Sequence, residues 1–153
     1  MVKKSLFTTL LLSTMVLTGC LQGKEPVDAT KFTNLAKNKD LVIEDIEETI
    51  TAYNMDAALL AYNEDDTYQI EFYDFEKDNI ANNEFNSQVN RIKDSYSTGV
   101  TTSTTLGGTS SFTYKIGDEY YAIVKVDDTL VSAYTDEKEA DLINDFLREL
   151  GYK

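Results

Sequence analysis

The sequence predicts a single α+β domain, an antiparallel sheet with helices mainly on one of its faces. Three observations carry this expectation. Tyr68, Ile70 and Phe72 alternate with polar neighbours, and so do Phe112, Tyr114 and Ile116, which is the two-residue period of half-buried strands. Residues 76–96 and 137–150 place apolar side chains at three- and four-residue spacings, the period of an amphipathic helix. Short turn signals, Gly117-Asp118 and Asp127-Asp128, separate successive apolar runs as hairpins require.

The elements follow in chain order. Asp28 can cap a helix over residues 29–38, with Phe32, Leu35 and Ala36 on one side. Residues 41–60 read two ways. Ile43, Ile46, Ile50, Tyr53, Ala57 and Leu60 recur at helical spacing, whereas Val42, Ile43, Ile46, Thr49, Ile50 and Thr51 are β-branched and suit a strand. The strand reading gives one strand near 41–50, a turn at 54–56 and a second strand at 57–63. Residues 63–66 then turn into the strand around Tyr68. The next helix, 76–96, turns Ile80, Ala81, Phe85, Val89, Ile92 and Tyr96 inward. Residues 97–111 are rich in Thr, Ser and Gly without periodicity and read as a mobile loop. Residues 120–126 are apolar on both faces, as in a central strand, and 130–134 form its neighbour. The last helix, 137–150, carries Leu142, Ile143, Phe146, Leu147 and Leu150 on one face, with Gly151 as its C-cap.

A weak repeat runs through this order. Tyr73, Glu76, Lys77, Asn83, Glu84 and Phe85 match Tyr134, Glu137, Lys138, Asn144, Asp145 and Phe146 at a constant offset of 61. Each set sits where a strand passes into a helix, so two strand–strand–helix units are the suggested plan.

The amino terminus carries a different message. Met1-Val2-Lys3-Lys4 is a basic head, residues 5–18 are mostly apolar, and the run ends in Leu17-Thr18-Gly19-Cys20, which holds the single cysteine of the 153-residue chain. A basic head, an apolar core and small residues before a cut are the parts of a secretory signal peptide. The apolar run falls short of the roughly 20 residues that span a bilayer. Leu17-Thr18-Gly19-Cys20 resembles the lipobox of bacterial lipoproteins. The resemblance implies a diacylglyceryl thioether on Cys20 and cleavage before it. Two acyl chains on one residue hold a protein on a membrane where one holds it only marginally. The expected organisation is therefore a signal peptide at 1–19, a lipidated tether at 20–27 and an α+β domain at 28–153. The expected location is the extracytoplasmic side of the cell membrane.

The segment Tyr68-Gln69-Ile70-Glu71-Phe72-Tyr73, the helix after it, the hairpin at 120–134 and the final Leu150-Gly151-Tyr152 are similar to uncharacterised surface lipoproteins of Gram-positive bacteria. That resemblance implies no activity and no catalytic residues.

Composition narrows the chemistry. The chain has 27 acidic against 14 basic residues, a formal charge of −13. Loss of residues 1–19 removes two lysines and no acid, which moves the charge to −15. Such an excess argues against nucleic acid, which needs a basic footprint. There is no histidine, so Ser-His-Asp and Cys-His catalysis and His-based metal sites are excluded. No cofactor and no metal centre are expected. The leading functional expectation is a non-enzymatic, lipid-anchored surface protein that binds another protein or an envelope component. The alternatives are a small hydrolase that uses carboxylates alone and a cation- or solute-binding lipoprotein.

Two groups of residues stand out as candidates. The hairpin turns at Asp65-Asp66 and Asp127-Asp128 share the 61-residue offset at Asp66 and Asp127. If they lie at one end of the sheet, they offer oxygen ligands to a weakly held cation, although 63–66 lacks the spacing and glycine of an EF-hand loop. Tyr73 and Tyr121 point away from the helix-covered face if Phe72 and Tyr120 point toward it. They then form an aromatic binding patch on an open sheet face.

Overall fold

A computed structural model describes residues 24–50, 54–65, 67–96 and 98–153. The expected signal peptide at 1–19, Cys20 and Asp66 lie outside the described residues. The elements are α1 (Ala29–Asn38), β1 (Val42–Asp45), β2 (Met55–Tyr62), β3 (Tyr68–Phe75), α2 (Asp78–Ser95), β4 (Val100–Leu106), β5 (Thr109–Ile116), β6 (Glu119–Val126), β7 (Thr129–Asp136) and α3 (Ala140–Leu150). The seven strands form one antiparallel sheet in the order β1-β2-β3-β7-β6-β5-β4. The expected α+β class holds. Among these residues no helix is long and apolar enough to cross a membrane.

Local chemistry sets the boundaries. The Asp28 carboxylate accepts the Lys31 amide at 2.7 Å and starts α1. Gly151, at φ 98°, ends α3, and the Tyr152 amide reaches back to the Leu147 carbonyl at 2.7 Å. The two-residue turns after β4, β5 and β6 open on Gly107, Gly117 and Asp127 at φ 59°, 55° and 47°. Tight hairpins need this left-handed conformation to match strand twist. Between 41 and 60 the described residues form strands rather than a helix, but with other bounds than expected. The first strand stops at Asp45, and a 3-10 turn, Glu47–Thr49, stands where it was expected to run on to 50. β2 begins at Met55, inside the expected turn at 54–56.

The expected loop at 97–111 is instead a hairpin, β4 turning into β5 with unbroken register from Val100↔Lys115 to Leu106↔Thr109. Every side chain of β4 is exposed, so the strand shows no alternation between buried and solvated positions.

The sheet is covered on both faces, which corrects the expected placement of the helices. On one face α1 and α3 press Phe32, Phe146 and Leu147 onto Ile70, Phe72, Val124 and Val131. The Phe32 and Phe72 rings stack at 5.1 Å, and Phe146 meets Phe32 edge-on at 5.6 Å. On the other face α2 lays Ala81 and Val89 over Tyr73, Phe75, Ile123 and Leu130. Because β6 is apolar on both sides, and Tyr73, Phe75 and Leu130 of β3 and β7 extend the second apolar surface, each face needs its own helical cover. Leu142 is 53% exposed rather than buried. The inward stripe of α3 is Ala140, Ile143, Phe146, Leu147 and Leu150, and Leu142 falls about 100° away from Ile143 on a helix. Val27, at the expected end of the tether, is buried in the core, and its amide donates to Tyr152 Oη at 3.1 Å.

The repeat survives in the strands and stops at the helices. β3 and β7 are antiparallel neighbours, and Glu71 pairs with Ser132, the residue 61 positions further on. The two strands are thus related by a local two-fold axis through that pair. After β3 two residues lead into α2. After β7 the 3-10 turn Glu137–Glu139 intervenes, and α3 takes the opposite face.

Lys125 of β6 is a charged side chain inside this layered structure. It is 3% exposed, donates to the Asp127 carbonyl at 2.8 Å, and forms an ion pair with Asp78 in the first turn of α2.

Candidate functional site

Where α2 crosses the β3–β7 seam, the sheet and helix do not close completely. Gln69, Glu71 and Tyr73 of β3, Ser132 and Tyr134 of β7 and Tyr121 of β6 line a cleft of about 530 Å³. Strand alternation puts all six on one face. The middle of α2 supplies Glu84, Gln88 and Arg91 as the opposite wall. These three occupy helical positions immediately before the inward residues Phe85, Val89 and Ile92, so they border the packed stripe.

The polar groups are partnered. Tyr73 Oη donates to Glu71 Oε2 at 2.8 Å. Gln88 Nε2 donates to the buried Glu84 Oε1 at 2.9 Å, with Arg91 Nη2 4.0 Å from the same oxygen. Burial, and then the charge of Glu71, pushes the Tyr73 phenol well above its usual range. Burial and the hydrogen bond with Tyr96 do the same for Tyr121. Tyr121 and Tyr96 hydroxyls are 2.7 Å apart, and the Tyr121 hydroxyl also donates to Glu119 at 3.2 Å. The Tyr121 ring lies 5.0 Å from Tyr134 and 6.0 Å from Tyr96. The result is a row of aromatic edges, neutral phenols and two carboxylates beside one guanidinium. It suits recognition by stacking and hydrogen bonding.

The structure brings Tyr73 and Tyr121 to the same face and the same cleft, but that face lies under α2 and is not open. Tyr73 is 7% exposed, packed as a wall of the cleft. The expected cation site does not assemble. Asp65 sits in the turn before β3, while Asp127 and Asp128 sit in the turn before β7. Antiparallel pairing places Tyr68 opposite Thr135 and Asp74 opposite Thr129, so the two turns are at opposite ends of the sheet. Among the described residues no three His, Cys, Asp or Glu side chains gather as a metal site.

Sequence reasoning missed Glu71, Glu84, Gln88, Arg91, Tyr96 and Tyr134 as a set. The available signal was the i, i+4, i+7 spacing of Glu84, Gln88 and Arg91, the edge of the apolar stripe. The uncovered part of the sheet lies on the other face, beyond the edge of α3. There Thr102, Thr104, Ser111 and Thr113 floor a groove of about 730 Å³ flanked by Lys24, Lys115 and Lys153. Burial, and then the charge of Lys153, lowers the Lys24 ammonium; burial, and then Arg148, lowers that of Lys153.

At the end of β3 the carboxyl of Asp74 is raised by burial and then by the charges of Asp128, Asp56 and Asp28. A raised folded-state value means that the fold holds this proton more tightly than the unfolded chain. The stabilisation from that proton is present at low pH and is lost as pH rises through the folded value. Ionised Asp74 therefore opposes folding at pH 7. Asp74→Asn should move the urea midpoint upward at pH 7, with the gain vanishing below the ordinary carboxylate range. A variant less stable than wild type at pH 7 would contradict this electrostatic account.

Fold and cleft together define a single-sheet α+β domain with a tyrosine-lined cleft between sheet and helix. No family model, no curated protein and no solved structure matches the chain.

Proposed function

We propose that this chain is a lipid-anchored, extracytoplasmic binding protein that holds another protein or an envelope component in the cleft beneath α2. It is not an enzyme in this reading. The observation that carries the binding role is the tyrosine row, where Tyr121 and Tyr134 face a cavity whose polar groups converge from both sheet and helix. The leader motif supports the anchor at Cys20, with 1–19 removed and the residues after Cys20 serving as a tether. A formal charge of −13 disfavours both nucleic acid and flat contact with anionic lipid. A second reading, a small carboxylate-dependent hydrolase, draws on one specific feature. Glu71 and Glu84 enter the same cleft from opposite walls.

One experiment on membranes and extract tests both parts. Cys20→Ser should leave an uncleaved precursor or release the chain from the membrane fraction. Normal processing with retention on the membrane would overturn the anchor. Wild-type chain exposed to envelope extract should retain a ligand that Tyr121→Ala/Tyr134→Ala loses, and mass spectrometry should find that ligand intact. Equal retention by the double variant would overturn the cleft as the binding site. Ligand recovered as fragments with wild type but not with Glu84→Gln would establish the hydrolase in place of the binder.

A further inference from the structure

We propose that two copies of this chain pair antiparallel along β4, about a two-fold axis through Ser103, to form one continuous sheet. β4 is an outer strand with one strand neighbour, β5. An outer strand presents a row of backbone donors and acceptors to any chain that approaches. Proteins that avoid such pairing place charges, prolines, bulges or covering elements on the edge. The opposite edge, β1, is only four residues long and includes Glu44 and Asp45. β4 is seven residues long, all exposed, with no charge, no proline and an unbroken register.

The sequence of β4 specifies the occupant. Val100-Thr101-Thr102-Ser103-Thr104-Thr105-Leu106 reads almost the same in both directions. Antiparallel pairing about Ser103 sets Ser103 against itself, Thr102 against the partner's Thr104, Thr101 against the partner's Thr105 and Val100 against the partner's Leu106. Thr–Thr pairs stabilise facing strands. Val100 and Leu106 are 70% and 59% exposed, two of the four large apolar residues so exposed among the described residues, and they sit at the two ends of one strand. The two-fold axis brings each onto the other. A self-complementary patch is what an isologous dimer requires, and about six to eight interstrand hydrogen bonds would form. A foreign peptide has no need of this symmetry. Electrostatics agree: the edge is uncharged, and Lys115 lies opposite Val100 in the hairpin beside it, which softens the approach of two chains of charge −13. Residues facing each other across strands share a face. The hydroxyl floor of Thr102, Thr104, Ser111 and Thr113 therefore runs across both copies.

The test uses the full chain with Cys20→Ala, so that any introduced thiol is the only one. Ser103→Cys should give a disulfide-linked dimer on mild oxidation. Val100→Cys and Leu106→Cys should cross-link when mixed and stay monomeric when oxidised separately. One of these two geometries is a non-hydrogen-bonded pair, with Cα atoms about 4.5 Å apart, whichever way the edge alternates. Sedimentation of the unmodified chain should show a dimer that strengthens as salt rises and screens like charge. Thr102→Lys/Thr104→Lys, which sets lysines against each other across the axis, should sediment as monomer. A monomer at all salt concentrations without the Ser103→Cys cross-link overturns the proposal. Cross-linking of Val100→Cys alone, or a dimer unaffected by the two lysines, overturns it as well.

Discussion

Phe72→Ala is expected to destabilise the fold by about 3–5 kcal/mol, the range for removing a buried aromatic ring. Phe72 is fully buried in β3, stacked on Phe32 at 5.1 Å, and Phe32 in turn meets Phe146. The ring ties β3 to α1 directly and to α3 through Phe32, so its loss leaves a void where the three elements meet. With total stabilities of about 5–15 kcal/mol typical of a domain this size, the loss removes a large share. Urea denaturation should show a lower midpoint with an unchanged slope. A change below about 1 kcal/mol would mean that the α1–α3 layer does not depend on this contact.

Asp78→Ala is the second large effect. It leaves Lys125, 3% exposed, without its carboxylate, although the Asp127 carbonyl still accepts a hydrogen bond. Breaking a buried ion pair from one side costs about 3–5 kcal/mol. Asp78 itself is 58% exposed, so a loss of about 2–3 kcal/mol is expected, since water screens part of the attraction. The same change removes a negative charge from the first turn of α2, where the helix dipole favours it. Lys125→Met, of similar volume and uncharged, should lose under 1 kcal/mol by comparison. Equal losses from the two variants would show that the ion pair itself, and not the stranded ammonium, stabilises the fold.

The parts of the fold that were legible in the sequence are those with one wet and one dry side. Ile143, Phe146, Leu147 and Leu150 mark α3, and Gly151 marks its end. Tyr68, Ile70 and Phe72 mark β3. β4 was not legible because both of its faces meet solvent, and a strand of Thr and Ser without alternation carries no period. Gly107-Gly108 before the Phe112–Tyr114 alternation was the one local sign of a hairpin there. Which face of the sheet a helix covers was equally hidden. An apolar stripe on α2 states that the helix packs, and the link after the strand decides on which side. The two-sided apolar pattern of β6 was the clue that both sides would be filled. The shared 61-residue offset of the acidic turns misled, because antiparallel neighbours begin at opposite ends. Of the cleft, Tyr73 and Tyr121 were visible as strand tyrosines. Glu84 and Gln88 were not, since polar residues in mid-helix ordinarily belong to the solvated side.

Among the described residues, the pairing of β3 with β7 is the only one between strands that are not consecutive in the chain. β1, β2 and β3 form one meander, and β4 to β7 another. The cleft floor takes Glu71 from the first half and Ser132 from the second. Neither meander alone therefore carries the complete cleft floor: it exists only once β3 and β7 have met.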